Sequence, residues 1–417
     1  MGTKTTHILS SLRNEPINTW FDLGLFLDRF RDQASKSGIK VSKKTFDKRL
    51  EKGGIGFITF YFTIDGITVE VEKYAKTFKA LYPNIPLHYI AGDIKSEAKE
   101  LIPAYAYQKV IPEMDGFDNW ALYDDFFKIK MERGSSAYNA LIGKFWKEVL
   151  ILVEKLGNYV EENNIRLLYL VNVCSNPGNV SLALATIIIS ELLGIPVINN
   201  NHDFYWESGH RDVEIKSKNL KKGSRDFFFH NAHVGEFFSV IEMCYPWVSK
   251  SWMTVNINKI QHDHVIKKNG HNPANVALIG TAVDVSQDRM SKRDIINAFM
   301  QVATIFSNRK DTITVHTAAN HIKSERSLKP ILLGYKTIRN FDFVNNNIVF
   351  LQPTRVISRK SIELNFKLIR QMFSYDDFHG KFKENPQLTL SVLVSGPIPY
   401  GQLNYYQQLV TDFKNFL

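Results

Sequence analysis

The segment from Asn199 to Glu207, with the sequence NNNHDFYWE, concentrates side chains that could act on a small ligand. His202 can exchange a proton or a hydrogen bond with a hydroxyl group, and Asp203 or Glu207 could orient its imidazole. The aromatic residues, including Trp206, offer ring faces to a sugar or another ring. The alternative is a loop whose aromatic residues cover the core and whose histidine lies at the surface. We favour the ligand-binding interpretation.

Two other segments combine a strand end with glycine or with cations. Asp65-Gly66 separates a predicted strand from a helix, and a glycine there allows an anion to approach backbone N–H groups. An ordinary turn explains the same pair equally well. QPTRVISRK carries Arg355 and Lys360 directly after another strand, a pattern that could hold a diphosphate. The alternative for that segment is a solvated basic loop. Ser395-Gly396-Pro397 follows the next strand at the same edge.

Three nearby histidines raise the question of a metal ion: His262 and His264 in the segment HDH, and His271. They have no acidic or cysteine partner at the spacing of a ligand set, so we predict no metal site. The absence of GxxxxGK[ST] argues against a P-loop nucleotide hydrolase.

Strands and helices alternate around these loops. Predicted strands cover 55–63, 86–90, 165–173, 196–199, 251–256 and 276–279, and predicted helices cover 69–81, 137–162 and the residues from 180 onward. Nearly continuous apolar strands separated by helices indicate a parallel sheet covered on both faces. A second set follows, with strands at 347–352 and 388–394 and helices at 361–373 and 405–417. The fold class is therefore α/β, with two Rossmann-like doubly wound domains whose ligands bind at the carboxyl ends of the strands.

The chain divides into three predicted parts: an N-terminal helical extension at 1–52, a first Rossmann-like domain at 53–285 and a second at 286–417. The polar stretch DVSQDRMSK marks the boundary between the two domains, and 302–346 interrupts the second domain's pattern. The extension contains an amphipathic helix, WFDLGLFLDRF, which either packs on the first domain or docks on a membrane surface or a partner chain.

Composition excludes several classes of protein. The chain has 417 residues, 44 % of them apolar, and a formal net charge of +10 from 52 basic and 42 acidic residues. This mild excess suits anionic ligands, and the mixing of basic with acidic residues argues against a nucleic-acid partner. Two cysteines rule out a disulfide framework and fit a reducing compartment. With no apolar run of membrane-spanning length and no signal peptide, we predict a cytoplasmic protein.

Four segments, in order along the chain, resemble glycosyltransferase family 4: FYFTIDGITVEVEKYAK, NNHDFYWE, LIGTAVD and QPTRVISRKSIE. Members of this family are retaining enzymes of the two-domain GT-B architecture that use nucleotide-sugar donors. The last segment is similar to the family's G-R-x4-K-G motif. The resemblance implies that Arg355 and Lys360 hold the donor diphosphate, that Gly66 approaches it and that His202 lies beside the transferred sugar. Asp203, Trp206 and Glu207 would then face the acceptor, and no cofactor is needed beyond the donor.

The chain departs from that family at three points. Thr354 and Ser361 stand where the motif has glycines, and the only glutamates after Arg355 are Glu363 and Glu384, so no E-x7-E motif follows. We therefore expect the second domain to be incomplete. Three functions stay open: hexosyl transfer to a hydroxyl acceptor, a glycoside phosphorylase on the same scaffold, and a sugar-binding or split subunit that requires a partner chain.

Overall fold

The structure is a computed structural model that describes residues 3–36, 42–127, 129, 131–207, 242–281, 289–306, 312–315, 338–394, 396, 398 and 403–416. Its internal contacts divide the chain into two compact units, Met1–Val283 (unit 1) and Asp284–Leu417 (unit 2). Residues 282–288 lie outside the described residues, and with them the end of the LIGTAVD segment and most of the predicted boundary stretch.

Unit 1 is built on a seven-stranded sheet in which every pair of neighbouring strands is parallel. The strands are β1 Ile55–Ile58, β3 Leu87–Ala91, β5 Tyr107–Val110, β6 Leu167–Val171, β7 Val197–Asn201, β8 Trp252–Asn256 and β9 Val276–Leu278. Their order across the sheet is β5-β3-β1-β6-β7-β8-β9, so the order reverses between β1 and β6. Two short strands, β2 Tyr61–Phe62 and β4 Asp93–Ile94, form a separate parallel pair.

Helices cover both faces of this sheet because its central strands are apolar on both sides. Residues of β1, β3 and β6 whose side chains point to one face share a core with α6 (Ser136–Glu162) and α7 (Val180–Leu193). Residues that point to the other face share a second core with α3 (Lys43–Gly53) and α4 (Gly66–Leu81). The α/β class and the doubly wound arrangement predicted from the sequence are confirmed in unit 1.

Three N-terminal helices belong to unit 1 and pack against its other elements. They are α1 (Thr3–Arg13), α2 (Trp20–Lys36) and α3. Trp20 at the start of α2 is buried, with its ring 5.6 Å from that of Phe145 in α6. Leu23 and Leu27, one and two turns further along α2, are also buried in this core. A short helix, α5 (Tyr123–Phe127), adds Phe126 to the same cluster.

Two differences from the predicted elements matter for the site. The strand predicted at 55–63 ends at Ile58, and the chain resumes extended structure only at β2. The strand predicted to end at 199 continues to Asn201, which leaves only two further residues before Phe204. The loop of residues 202–207, called the His202 loop, therefore begins directly at the carboxyl end of β7.

Unit 2 contains a parallel pair, β12 Asn347–Gln352 and β13 Thr389–Val394, in register along all six residues. An antiparallel pair, β10 Thr312–Val315 and β11 Ile338–Asp342, precedes it. The helices are Lys292–Phe306, Leu364–Phe373, Asp376–Glu384 and Leu403–Phe416. Of the interrupting segment 302–346, residues 307–311 and 316–337 lie outside the described residues.

Throughout the part of the chain that the structure describes, no helix has the length and apolar character needed to cross a membrane.

Candidate functional site

Asn172, the first residue after β6, fixes the backbone of the His202 loop. Its side-chain Oδ1 accepts hydrogen bonds from the backbone N–H of His202 at 2.8 Å and from that of Asp203 at 3.1 Å. Asn172 adopts a φ of 61°, a left-handed conformation that asparagine tolerates better than most residues. This turn, which the sequence analysis missed, connects the end of β6 at the strand-order reversal to the His202 loop.

Burial and nearby charges decide the protonation of His202. Burial lowers the pKa of its imidazole, and Lys73 acts in the same direction. Three carboxylates oppose this shift, first Glu70 and then Asp203 and Asp65, but the pKa still lies below its ordinary value of 6.5. The imidazole is therefore mostly neutral at pH 7 and able to accept a proton or hydrogen bond.

Trp206 is enclosed on both faces. Its ring stacks on Phe204 at 3.9 Å between centroids and 19° between planes, and on His264 at 4.2 Å and 11°. The open stacking platform predicted from the sequence is therefore not present in this structure, because neighbouring rings already occupy both faces of the indole. Tyr205 also contacts this ring, at 5.2 Å between centroids and 79° between planes, so only part of the indole edge is exposed. His264, one of the three histidines considered and rejected as metal ligands, takes part in this stack.

The carboxylate of Glu207 closes the loop. One of its oxygens accepts from the backbone N–H of Phe204 at 2.8 Å, and the other accepts from Nε2 of Gln261 at 2.9 Å. The same Nε2 donates to the carbonyl oxygen of His202 at 3.0 Å. Gln261 belongs to the helix Lys259–Lys267, so this buried amide joins that helix to both ends of the loop.

Gly66 is the first residue of α4, and Asp65 is its N-cap. A Cβ atom on Gly66 would have no atom within 4 Å, so nothing in the described structure demands a glycine here. Oδ1 of Asp65 accepts from the backbone N–H of Thr68 at 2.9 Å. This N–H is therefore already engaged, and the carboxylate adds negative charge at the helix end. Asp65 also acts electrostatically on His202, which puts the Gly66 turn and the His202 loop at the same edge of the sheet.

A second asparagine, Asn179, connects two segments of the chain near the carboxyl edge of the sheet. Its Oδ1 caps α7 by accepting from the backbone N–H of Leu182 at 2.9 Å. Its Nδ2 donates to the carbonyl oxygens of Glu113 at 2.9 Å and Asp115 at 2.8 Å. The side chain thus ties the loop after β6 to the segment that follows β5.

In unit 2, the two loops predicted to lie at one strand edge are in contact. The backbone N–H of Gly396, after β13, donates to the carbonyl oxygen of Thr354, after β12, at 3.1 Å. A Cβ on Gly396 would come within 2.6 Å of the backbone of Arg355, so only glycine permits this approach. Ser395 and Pro397 lie outside the described residues.

Ser361, which stands where the G-R-x4-K-G motif has a glycine, adopts a backbone conformation that favours glycine. Ser361 has a φ of 48° and ends the short helical turn Ser358–Lys360. A glycine adopts this left-handed conformation without steric cost, and here a serine adopts it instead. Within the described part of unit 2, neither Arg355 nor Lys360 has an ion-pair partner, and the side chain of Arg359 lies outside the description.

The chain is similar to several solved structures at low sequence identity. A glycosyltransferase from Rickettsia africae aligns over 85 % of this chain and 70 % of its own, with 10 % identity and a TM-score of 0.38. The apo form of the lipopolysaccharide outer core galactosyltransferase WaaB aligns over 85 % and 71 %, with 10 % identity and a TM-score of 0.35. A putative UDP-N-acetylglucosamine 2-epimerase from Listeria monocytogenes aligns over the same shares, with 8 % identity and a TM-score of 0.33. The sequence matches no protein-family model and no curated protein. At this level of similarity, the chain's own residues must carry any functional conclusion.

Proposed function

We propose that this chain transfers a hexose from a nucleoside diphosphate sugar to a hydroxyl group of an acceptor, with retention of anomeric configuration. The observation that carries the proposal is the His202 loop. A neutral, half-buried imidazole stands at the carboxyl edge of a doubly wound sheet, beside the strand-order reversal at which such sheets bind ligands. A neutral imidazole in that position can accept a hydrogen bond or a proton from a hydroxyl group.

In this proposal Arg355 and Lys360 bind the donor diphosphate. Negative charge accumulates on the diphosphate as the bond to the sugar breaks, and fixed cations stabilise it most in the transition state. The planar guanidinium of Arg355 can form two parallel hydrogen bonds to phosphate oxygens, whereas Lys360 contributes a point charge. The backbone N–H groups of Gly66 and Ile67 are the donors at the start of α4 that remain for an anion, since the Asp65 cap holds that of Thr68. No metal ion is invoked.

On the acceptor side, Asp203 supplies a carboxylate next to His202, and Trp206 supplies the edge of its indole. The role of Glu207 is indirect, because both of its oxygens hold the loop closed. We therefore expect acceptor hydroxyl groups to meet Asp203 and His202 rather than Glu207.

Titration calorimetry with UDP and with GDP tests the donor half. We expect one of the two to bind the intact chain, and Arg355→Ala and Lys360→Ala each to weaken that binding by about tenfold to a hundredfold, the value of a hydrogen bond to a charged group. Lys383→Ala, which removes an exposed cation from the helix Asp376–Glu384 of the same unit, is the matched control and should leave the affinity unchanged. Equal losses in all three variants would mean that only general charge attracts the nucleotide.

The products identify the reaction. Incubation with UDP-hexoses and GDP-hexoses and simple aryl glycoside acceptors should release the nucleoside diphosphate and form a glycoside, whose anomeric proton coupling reports retention or inversion. Formation of a sugar phosphate from a glycoside and inorganic phosphate would instead identify a phosphorylase. Nucleotide binding without any turnover would favour the binding-subunit interpretation.

A further inference from the structure

The carboxyl ends of β7 and β8 carry four uncharged polar side chains, which we call the β7–β8 cluster. Its members are Asn199, Asn201, Thr254 and Asn256. The register of the two strands places Asn199 opposite Thr254 and Asn201 opposite Asn256. Residues two apart along a strand project to the same face of the sheet, and so do residues that lie opposite each other. The four side chains therefore form one contiguous polar patch.

The β7–β8 cluster faces the interior of unit 1. Two residues earlier on the same face lie Val197 and Trp252, which belong to the core shared with α6 and α7. Asn200 points to the opposite face, where its Nδ2 donates to the hydroxyl of Tyr169 at 2.8 Å. All members of the cluster are at most 1 % exposed. Four polar side chains are thus packed next to positions that are apolar.

These side chains do not satisfy one another's hydrogen bonds. Nδ2 of Asn201 donates to Oδ1 of Asn256 at 3.4 Å, which is long for such a bond. Among the residues that the structure describes, no partner meets five further atoms: Nδ2 and Oδ1 of Asn199, Oγ1 of Thr254, Oδ1 of Asn201 and Nδ2 of Asn256. A buried polar atom without a partner costs at least as much stability as a lost hydrogen bond, so five would cancel a large part of the stability of a domain. The cluster therefore calls for a bound group that pairs with these atoms.

The mixture of unpaired atoms decides which chemistry can satisfy the cluster. Amide nitrogens only donate hydrogen bonds, and amide oxygens only accept them. A metal cation would bind the oxygens and leave the NH₂ groups unpaired, and an anion would do the reverse. A hydroxyl oxygen both donates and accepts, so it can pair with both kinds of atom. The orientation of the amides does not matter, because Asn199 leaves one donor and one acceptor unpaired in either orientation.

The cluster adjoins the His202 loop. Asn201 directly precedes His202, and Asn256 directly precedes Ile257. The side chain of Gln261 joins these two strand ends, because its Oε1 accepts from the backbone N–H of Ile257 at 3.3 Å and its Nε2 donates to the carbonyl oxygen of His202 at 3.0 Å. A group bound by the cluster would therefore lie next to the strand end that carries the candidate catalytic residue.

We propose that the β7–β8 cluster is a buried binding site for hydroxyl oxygens. Two sources share this chemistry: water molecules enclosed in the folded chain, and a hydroxyl group of a sugar. Water fits a site that is closed to solvent, as this one is, whereas a sugar hydroxyl would enter only when the His202 loop moves. The sugar source rests on the proposed function, and the site itself does not.

A crystal structure of the full chain, grown and cooled without any polyol, tests the site directly. We expect at least one ordered oxygen within about 2.6–3.2 Å of the polar atoms of Asn199 and Thr254. Oxygen density in the free crystals identifies water. Density that appears only after a soak in glucose or galactose, and that continues into a sugar ring, identifies a sugar hydroxyl. Either result supports the proposal.

Three results of that experiment would overturn the proposal. The first is an empty space between the four side chains, and the second is a set of direct bonds that pairs all of them with one another. The third is an ion in the site, which a soak in rubidium chloride or sodium bromide would reveal by its anomalous signal.

Thr254→Val provides an independent test in solution, because valine has the shape of threonine without the hydroxyl. If Oγ1 of Thr254 bonds to an oxygen in the site, the variant leaves that oxygen short of a partner. The melting temperature should then fall by about 2–4 °C, as expected for the loss of one hydrogen bond. If Oγ1 is unpaired, its removal should raise the melting temperature. A rise or no change would contradict the proposal.

Thr5→Val is the matched control for this measurement. Thr5 is as buried as Thr254, and its Oγ1 donates directly to Oε2 of Glu161 at 2.9 Å. Its fall in melting temperature calibrates the loss of one known bond in this chain. If Thr254→Val does not fold, the crystal structure of the native chain still decides.

Failure of this inference and failure of the proposed function are distinguishable. If no donor supports transfer, the sugar source is lost, but water in the free crystals would still establish the site. If transfer occurs and the cluster contains no oxygen, the proposed function stands and this inference fails.

Discussion

Oδ1 of Asn172 accepts a hydrogen bond from the backbone N–H of His202 at 2.8 Å. The two residues follow neighbouring parallel strands, β6 and β7, so a single side chain spans the carboxyl edge of the sheet and fixes the backbone of the candidate catalytic residue. A second bond, from the backbone N–H of Asp203, makes the same atom a double acceptor.

Two substitutions of Asn172 should separate the contribution of its hydrogen bonds to stability from that of its left-handed backbone conformation. Asn172→Gly keeps access to the left-handed conformation but loses both hydrogen bonds, which should lower the free energy of unfolding by about 1–3 kcal/mol for each N–H left unpaired. Asn172→Ala should cost about 1 kcal/mol more, because alanine tolerates a φ of 61° poorly. Urea unfolding measures both values. An alanine variant as stable as the native chain would show that this turn does not hold the loop.

The stack of Trp206 on His264 predicts a pH-dependent signal. Burial, and then Lys268, lowers the pKa of His264, so its ring becomes charged only below pH 6.5. A protonated imidazole in face contact quenches indole fluorescence, so emission should fall as the pH drops below that value. The difference between the native chain and Trp206→Phe isolates the contribution of this tryptophan. In His264→Gln the fall should disappear, and its persistence there would rule out the stack as its source.

Gly396 and Gly380 offer a matched pair of substitutions in unit 2. Gly396→Ala would drive a Cβ to within 2.6 Å of the Arg355 backbone, so we expect a loss of about 1–3 kcal/mol in stability and weaker nucleotide binding. Gly380, inside the helix Asp376–Glu384, has no atom within 4 Å of the Cβ position. Gly380→Ala should stabilise that helix by about 0.5–1 kcal/mol. Thermal unfolding and calorimetry with UDP or GDP measure both effects, and similar behaviour of the two variants would contradict the close contact.

The buried carboxyl of Glu148 should make the stability of the chain depend on pH. Burial raises the pKa of this carboxyl, and hydrogen bonds from Ser181 at 2.7 Å and Trp120 at 2.9 Å only partly offset the shift. Because the folded-state pKa exceeds the unfolded one, the folded chain binds more protons, and the contribution of Glu148 to stability is lost as pH rises through the raised pKa. At pH 8 the melting temperature of Glu148→Gln should therefore be higher than that of the native chain. Near pH 4 this difference should disappear. A difference that does not change with pH would show that Glu148 is not desolvated as the structure indicates.

Much of unit 1 could be predicted from the sequence because its central strands are apolar throughout. The segment IRLLYLVNV reads as a buried parallel strand from composition alone, and β6 lies within it. The predicted start of α7 at Val180 agrees with the structure, since Asn179 provides a cap that sequence rules recognise. Strand ends were harder to predict, because β1 stops at Ile58 inside a run that remains hydrophobic to Phe62.

The site itself could be predicted only in part. The position of His202 after a parallel strand follows from the alternation of elements. The double acceptor role of Asn172, the burial of Glu70 and the stacking of Trp206 on His264 do not. The partners of Asn172 and Trp206 lie 30 and 58 positions away in the chain. A carboxylate on an amphipathic helix and an aromatic residue in a polar loop look exposed in sequence, and only tertiary packing decides otherwise.

The most direct test of the proposed activity compares nucleoside diphosphate release by the native chain and by His202→Ala, with UDP-hexose and GDP-hexose donors and aryl glycoside acceptors. We predict release and glycoside formation by the native chain, and a rate lower by about 10²–10⁴-fold in the variant, the usual contribution of a positioned proton acceptor. The melting temperatures of the two should agree, because the Asn172 and Gln261 contacts of this loop involve only the backbone of His202. Two results would contradict the account: full turnover by a normally folded His202→Ala, or no release of nucleoside diphosphate from any donor by the native chain.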